Sequence, residues 1–560
     1  MRGASSDAGT AAGGRLADTA WLLLAWTAAV ALVDPRGDFP LNDDWAYALA
    51  VRRLLEDGVF RPPDWAAPTL LSQALWGALA SLPAGFSHTA LRLSALALGG
   101  LAVVGVYLLG RELRAPRAVA RLAALTLAAG PVFFALAHTF MTDVPFVACA
   151  VVALLGFARY LLRGADRDLA LGAAASLAAV LCRQTGLVLP LAFAVAALLA
   201  GRGAPRQRWP RALLPLALCG GALGLLGWWL AVAGDSAQRL GVGDVMLAWR
   251  LRGNPPALLR FLSGNLLLAL LYCGLFLAPL ALRLAPVWRR RWTRPAWNDA
   301  LSLATLATAA LTLWSWGRHM PLRGNVLITS GVGPVTLHDW YILGLPHDGP
   351  LPAAFWIAVT GVALLGAALL AAQLGAAAAA VWRPAGAAER AQRGARALLL
   401  LAAAGYLSVV ILVSPFDRYY LPLVAMLAPL LAAPGAAAAG AGRAPRLAAA
   451  ALLLALAGFS IAATHDYLAW NRARWQGLRQ LTEVDGISPR RIDGGAEFNG
   501  LHLFAPDYRK QPKKSWWWVA DDEYMLGMGP LPGYALLRRY PYARWLPPGE
   551  AEIQVLRRAP

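Results

Sequence analysis

Apolar runs alternate with short polar segments along most of this chain. An α-helix of roughly 17–25 apolar residues is long enough to cross a hydrocarbon core about 30 Å thick. The pattern therefore predicts about thirteen transmembrane helices. They lie near residues 17–33, 88–110, 122–137, 145–162, 169–182, 186–201, 212–233, 259–282, 299–316, 352–381, 397–413, 421–438 and 447–463.

The positions of the arginines predict which side of the membrane each polar segment faces. Arginines concentrate in short segments between apolar runs, for example at 111–121, 202–211, 289–291 and 390–396. Short basic loops are retained in the cytoplasm by the positive-inside rule. If the N-terminus is cytoplasmic, all the arginine-rich short loops lie inside. The loop at 34–87 and the C-terminal residues from 464 then lie outside.

Two domains follow from this topology. Residues 1–463 are predicted to form a transmembrane module whose first external loop spans 34–87 and contains an amphipathic helix around Trp45 to Leu54. Residues 464–560 are predicted to form an external domain, with short apolar stretches such as 553–556 as strands. The predicted fold class is an all-α polytopic membrane protein with a small external α+β domain at its C-terminus.

Composition supports a membrane protein and argues against a nucleic-acid partner. Hydrophobic residues make up 58% of the chain and mean hydropathy is +0.52. The formal charge is +20, but the arginines lie in the short loops that anchor a topology. The four cysteines match no metal-ligand spacing and are interpreted as small buried residues. The expected environment is a membrane, without nucleic acid.

Candidate chemical groups stand at the external ends of several predicted helices. Carboxylates near a bilayer are costly unless they are paired, hydrated or used. Because all of these ends face the same side, their side chains can line one cavity. The candidates are Asp43 and Asp44 after the first helix, His138 and Asp143 before the fourth, Arg183 between the fifth and sixth, and Arg418, Tyr419 and Tyr420 at the twelfth.

These residue types suit transfer chemistry on a phosphate-bearing substrate. A carboxylate close to a hydroxyl can act as general base, and arginine binds phosphate bidentately. Two carboxylates can also share a divalent cation with a phosphate, so Asp43, Asp44 or Asp143 are the metal candidates if a metal is used. The structural alternatives are helix capping for the aspartates and headgroup contacts for the arginines and His138.

Four sequence motifs resemble those of the GT-C superfamily of integral-membrane glycosyltransferases, specifically glycosyltransferase family 39, which includes protein O-mannosyltransferases and aminoarabinose transferases. The similarity is clearest over residues 17–200 and 414–433. One position departs from the family pattern, because Asp44 stands where relatives have Glu. The motifs are Asp43-Asp44-Trp45-Ala46-Tyr47, Thr142-Asp143-Val144-Pro145, Arg183-Gln184-Thr185-Gly186 and Arg418-Tyr419-Tyr420-Leu421-Pro422.

The resemblance implies a polyprenyl-phosphate-linked sugar donor and inverting displacement at the anomeric carbon. Asp43 would be the base that activates the acceptor hydroxyl, while Asp44 and Asp143 would position the acceptor or hold a divalent metal. Arg183 and Arg418 would hold the lipid phosphate as leaving group. The other implied substrate-binding residues are Tyr47, His138, Tyr419 and Tyr420.

Two other functions are compatible with the sequence. One is a secondary transporter or lipid flippase, because ionisable residues in membrane segments also mark transporters. The other is an envelope assembly protein that binds a lipid carrier without transferring sugar. The clustering of the charges at one face, not at the midplane, favours transfer. The sequence leaves the sugar and the acceptor open (protein, lipid, lipid A or polysaccharide), and its composition favours a bacterial inner membrane with a periplasmic site.

Overall fold

The computed structural model describes residues 2–66, 69–200, 205–233, 251–291, 297–345, 351–382, 386–433, 442–510, 514–515 and 517–560. Within these residues the chain is mostly helical, with one small sheet near the C-terminus. This confirms the predicted fold class.

The first ten helices span the N-terminal half of the chain. They are α1 (Arg2–Val33), α2 (Asp44–Asp57), α3 (Leu71–Ser81), α4 (His88–Glu112), α5 (Arg117–Ala128), α6 (Pro131–Ala137), α7 (Asp143–Arg163), α8 (Asp166–Cys182), α9 (Val188–Ala200) and α10 (Pro205–Ala233).

Seven further helices follow. They are α11 (Pro255–Arg291), α12 (Trp297–Trp316), α13 (Ala353–Trp382), α14 (Ala387–Val410), α15 (Leu421–Ala432), α16 (Arg443–Arg479) and α17 (Ala496–Leu503).

The described helices have the length and apolarity of a polytopic membrane protein. Eight of them are long and apolar enough to cross a membrane, or nine if the bent pair α5 and α6 is one span. A helix is present at each of the thirteen predicted positions, although several are shorter than a full crossing. The chain is a multi-pass integral membrane protein, and the count of about thirteen crossings stays a prediction.

The segment predicted as one helix at 122–137 is two helices. α5 and α6 meet at an angle of 64°. Pro131 begins α6, and a proline inside a continuous helix would remove a hydrogen bond and clash with the preceding turn. The bend leads directly into residues 138–142, which are buried and end at Asp143.

Close packing of α7 against α8 positions two of the predicted site residues. The two helices form an antiparallel hairpin and make extensive contact. A Cβ atom on Gly156 would lie 2.5 Å from the backbone nitrogen of Gly172, so only glycine permits this approach. Because the hairpin is antiparallel, the end of α8 at Arg183 returns to the beginning of α7 at Asp143.

The C-terminal region combines a long helix, a short helix and a four-stranded sheet. The strands are β3 (Ile492–Asp493), β4 (Tyr524–Gly527), β5 (Tyr534–Trp545) and β6 (Pro548–Arg558), in the order β3-β4-β6-β5. β3 and β4 are parallel, and the remaining pairs are antiparallel. A separate two-residue hairpin pairs β1 (Leu327–Ile328) with β2 (Gly331–Val332).

The predicted domain boundary at 463/464 falls inside α16, which continues without a break from Arg443 to Arg479. The second half of α16 packs against β5 and β6. The division into a module at 1–463 and a domain at 464–560 stays a prediction.

Candidate active site

Asp143 and Arg183 form a buried ion pair at the ends of α7 and α8. The Arg183 Nη2 atom lies 2.9 Å from Asp143 Oδ1, and the Asp143 side chain is fully buried. The Arg183 Nε–H also donates to Thr142 Oγ1 over 2.7 Å, and Arg183 interacts with the hydroxyl of Tyr406 on α14. Three residues, Thr142, Asp143 and Tyr406, thus hold this guanidinium in place.

Arg418 lies between two acidic side chains. Its Nη2 atom is 3.8 Å from Asp43 Oδ2, and its Nη1 atom is 3.9 Å from Asp143 Oδ2. Although the residue is buried, its Nε and Nη1 atoms have no hydrogen-bond partner among the described residues. We call Asp43, Asp143, Arg183 and Arg418 the acid–arginine cluster. It contains two carboxylates and two guanidinium groups, so its formal charges balance.

Asp43 is the more solvent-exposed carboxylate of this cluster. Its side chain is 31% exposed, whereas that of Asp143 is not exposed at all. The indole N–H of Trp65 donates to Asp43 Oδ1 over 2.8 Å. Among the described residues, Asp43 Oδ2 has only the long contact to Arg418, so Asp43 is the more accessible of the two carboxylates.

Asp44 faces a different environment from its neighbour. It is buried, and its two oxygens accept the backbone N–H groups of Leu41 (2.6 Å) and Phe140 (3.0 Å). Burial raises the pKa of Asp44 to about 7, and the two backbone hydrogen bonds oppose that rise. The structure therefore connects the first motif to the segment before the second motif through Asp44.

Two predicted tyrosines lie beside the cluster. Tyr47 is buried on α2, and its phenol is influenced by the charges of all four cluster residues. Burial raises the pKa of Tyr47 above its usual value, so its hydroxyl remains a proton donor at neutral pH. Tyr419 stacks its ring near the Arg418 guanidinium, 5.7 Å from ring centroid to Cζ.

Tyr420 and His138, also predicted to bind substrate, make other contacts. Tyr420 stacks on Tyr272 of α11, with ring centroids 5.4 Å apart, and its hydroxyl has no partner among the described residues. His138 is buried, and its Nδ1 lies 2.8 Å from the carbonyl oxygen of Phe134. Neither residue forms an ion pair or hydrogen bond with the acid–arginine cluster in the described part of the chain.

Asp417 is a residue that the sequence interpretation missed. Its carboxylate accepts the backbone N–H groups of Asn325, Val326, Leu327 and Arg418. Burial raises its pKa to about 6, and these hydrogen bonds oppose the rise. Asp417 therefore fixes the backbone from which Arg418 projects, and its position beside Arg418 was the available signal.

Thr142, Tyr406 and Trp65 were also missed as contacts of the cluster. Thr142 belongs to the second motif, so its place in that motif was a signal. Tyr406 lies in an apolar run and Trp65 in a loop, where nothing in the sequence separates them from other aromatics.

The described residues do not form a cluster suited to a metal ion. No group of three or more His, Cys, Asp or Glu side chains is arranged to hold one in the described part of the chain. Arg418 stands between Asp43 and Asp143, and Asp44 already accepts two backbone hydrogen bonds.

Comparison with known proteins finds one family model that matches part of the chain. Residues 70–226 match the family model described as dolichyl-phosphate-mannose-protein mannosyltransferase. This segment includes Asp143 and Arg183. No curated protein matches the chain by sequence.

Three solved structures show a weak similarity to this chain, each with a TM-score below 0.5. The Saccharomyces cerevisiae protein O-mannosyltransferase Pmt1–Pmt2 complex bound to the sugar donor is 16% identical, with a TM-score of 0.31 over 42% of this chain and 36% of that one. ArnT from Cupriavidus metallidurans bound to undecaprenyl phosphate is 14% identical, with a TM-score of 0.39. The match covers 97% of this chain and 98% of that one. The Archaeoglobus fulgidus oligosaccharyltransferase in complex with zinc and sulfate is 16% identical, with a TM-score of 0.44. The match covers 89% of this chain and 60% of that one.

The chain spans only about a third of the yeast protein's length. The family match covers the second and third motifs, where the structure brings Asp143 and Arg183 together. Over residues 70–226 the chain is therefore similar to the family of dolichyl-phosphate-mannose-protein mannosyltransferases.

Proposed function

We propose that this protein transfers a sugar from a polyprenyl-phosphate-linked donor to an acceptor hydroxyl at the external face of the membrane. The observation that carries the proposal is the acid–arginine cluster, in which a partly exposed carboxylate faces a buried guanidinium whose Nε and Nη1 atoms have no hydrogen-bond partner among the described residues. The description of the matched family model names a dolichyl-phosphate-linked sugar, which supports a polyprenyl-phosphate-linked donor.

Asp43 acts as the general base. An acceptor hydroxyl within hydrogen-bond reach of Asp43 Oδ2 loses its proton to that oxygen as the acceptor oxygen attacks the anomeric carbon. The bond between that carbon and the phosphate oxygen breaks on the opposite side, so the configuration inverts. The products are the glycosylated acceptor, the polyprenyl phosphate and a protonated Asp43, which returns its proton to solvent.

Arg418 stabilises the leaving phosphate. Its contacts to Asp43 and Asp143 are both longer than 3.5 Å, which leaves its N–H groups available to phosphate oxygens. Negative charge grows on the phosphate as the glycosidic bond breaks, so a fixed cation lowers the barrier. Arg183 has closer partners, and its role is to hold Asp143 and add positive charge next to Arg418.

The remaining predicted residues support this arrangement. Asp143 positions Arg418, while Tyr47 and Tyr419 offer hydroxyl groups beside the reacting atoms. Asp44 shapes the loop that carries Asp43. The arginine distribution supports an external site, which in a bacterial inner membrane is the periplasmic face.

The test uses purified full-length protein and a panel of radiolabelled polyprenyl-phosphate sugars. We expect transfer or donor hydrolysis by the wild type and a loss of about 100-fold or more in Asp43→Asn. Asp57→Asn is the matched control, because Asp57 lies exposed at the other end of α2, and it should keep wild-type turnover.

Binding of the donor lipid is measured in the same preparations. Wild-type binding without turnover of any donor would contradict sugar transfer and favour a lipid carrier or flippase role. Equal turnover by Asp43→Asn and wild type would remove Asp43 as the base.

A further inference from the structure

The backbone that leads into Asp43 is held by two buried carboxylates. The N–H of Leu41 donates to Asp44 Oδ1 over 2.6 Å, and the N–H of Asn42 donates to Glu497 Oε1 over 3.1 Å. Glu497 belongs to α17 in the C-terminal region, 455 residues along the chain from Asn42. A remote region of the sequence thus contacts the residue immediately before the proposed base.

Glu497 is itself rigidly held. Its Oε2 atom accepts hydrogen bonds from Arg474 Nη1 over 2.8 Å and from the Thr336 hydroxyl over 2.6 Å. The side chains of Glu497 and Arg474 are both fully buried. A buried ion pair whose carboxylate oxygens both accept hydrogen bonds has little freedom to move, so Glu497 holds its Oε1 atom at a fixed point beside the Asn42 N–H.

Asn42 needs such an anchor because of its conformation. Its φ angle is +57°, in the left-handed region that non-glycine residues seldom occupy, although asparagine tolerates it better than most. This conformation turns the chain between the extended segment and α2. The turn determines the direction in which Asp43 leaves the backbone.

Aromatic packing from the same C-terminal region supports the other side of Asp43. Trp65, which donates to Asp43, packs edge-on against Trp518 with ring centroids 5.0 Å apart. The Trp45 ring packs against the rings of Trp518 and Phe504, with centroids 5.6 Å and 5.5 Å apart respectively. A side chain on Gly500 would collide with Trp45, since its Cβ would lie 2.4 Å from that ring.

We propose that Glu497 is a positioning residue for Asp43, and that the C-terminal region completes the active site by fixing the turn at Asn42. This proposal rests on the proposed function. Glu497 acts through the Asn42 backbone and does not touch the substrate. It therefore affects the chemical step and leaves donor binding to Arg418.

The test compares Glu497→Asp and Glu497→Gln with wild type in the full-length protein. The aspartate variant keeps the negative charge beside Arg474 but is one methylene too short to reach both Asn42 and Arg474. A misplacement of about 1 Å in a catalytic group costs on the order of 100-fold in rate. We expect kcat to fall roughly 10- to 100-fold in Glu497→Asp, with the donor KM within about twofold of wild type.

Glu523→Gln is the control, because Glu523 lies in the same region but pairs with Arg491 at the surface. It should retain wild-type kcat. A drop in folded yield with unchanged kcat per folded molecule in both Glu497 variants would overturn the proposal and leave Glu497 a structural residue.

A double-mutant cycle makes the test specific to Asp43. If Glu497 acts through Asp43, Glu497→Asp should cause no further loss in the residual activity of Asp43→Asn. If instead the activity losses of Glu497→Asp and Asp43→Asn multiply in the double variant, Glu497 does not act by positioning Asp43.

Carbodiimide labelling of Asp43, read by mass spectrometry, separates this proposal from the proposed function because it needs no turnover. We expect faster labelling in both Glu497 variants than in wild type and Glu523→Gln. Unchanged labelling would overturn the positioning role even in an active enzyme. If the Glu497 variants are labelled faster than wild type but the wild type transfers no sugar, the positioning role is retained and the proposed function fails.

Discussion

Asp43 and Asp44 are consecutive in sequence but belong to two different charge clusters. Asp43 is part of the acid–arginine cluster, whereas Asp44 lies with Glu497 and two arginines, Arg92 and Arg474, behind the turn. We call these four residues the support cluster. Arg92 and Glu497 both influence the charge of Asp44, and Arg474 pairs with Glu497. Each cluster holds two carboxylates and two guanidinium groups.

The clusters differ in how their oxygens are used. All four carboxylate oxygens of the support cluster accept hydrogen bonds. Arg92 donates to the carbonyl oxygens of Pro35, Gly37 and Phe39. In the acid–arginine cluster, neither oxygen of Asp143 has a hydrogen bond among the described residues. One cluster therefore holds backbone, while in the other the Asp143 oxygens and the Arg418 Nε and Nη1 atoms have no hydrogen bond among the described residues.

The first way to break this comparison is to remove a charge from the support cluster. Arg474→Leu leaves Glu497 buried without its cation, which is expected to lower the free energy of unfolding by about 3–5 kcal/mol. Thermal unfolding in detergent measures the change. Arg491→Leu, which removes a surface partner of Glu523, should change the unfolding temperature little. Equal shifts in the two variants would contradict the assignment of a supporting role to the buried pair.

Removing a charge from the acid–arginine cluster should produce the opposite pattern. Arg418→Ala is expected to reduce kcat by about 10²- to 10³-fold, because the leaving phosphate loses a fixed cation, while the protein stays folded. Arg260→Ala is the control, since Arg260 is exposed at the beginning of α11. Turnover assays and unfolding curves on the same samples separate the two effects. Wild-type kcat in Arg418→Ala would refute a role in the chemistry.

The pH dependence of stability sharpens the difference between the adjacent aspartates. The pKa of Asp44 is raised to about 7 in the folded protein, above the usual value of about 3.9. A raised carboxyl pKa stabilises the fold at low pH, and that contribution is lost as pH rises from about 4 to 7. The unfolding temperature of wild type relative to Asp44→Asn should therefore fall over this interval and level off above it. A difference independent of pH would contradict a buried, proton-binding Asp44.

The site was only partly predictable from the sequence. The order of the motifs and the arginine pattern identified Asp43, Asp143, Arg183 and Arg418, and the structure brings these four together. Tyr420 was predicted from its place in the fourth motif, and His138 from the segment that leads into the second motif. Adjacency along a turn does not decide the direction of a side chain, and both make contacts elsewhere.

What the sequence determined by itself was the membrane character, the helical class and the residues able to carry transfer chemistry. Run length, apolarity and arginine placement are local properties, and a bilayer acts on each segment nearly independently. The tertiary structure decided which of two adjacent aspartates faces the site and which holds backbone. It also decided that Glu497 meets Asn42, because hydrogen bonding and burial depend on groups that folding brings together from distant parts of the chain.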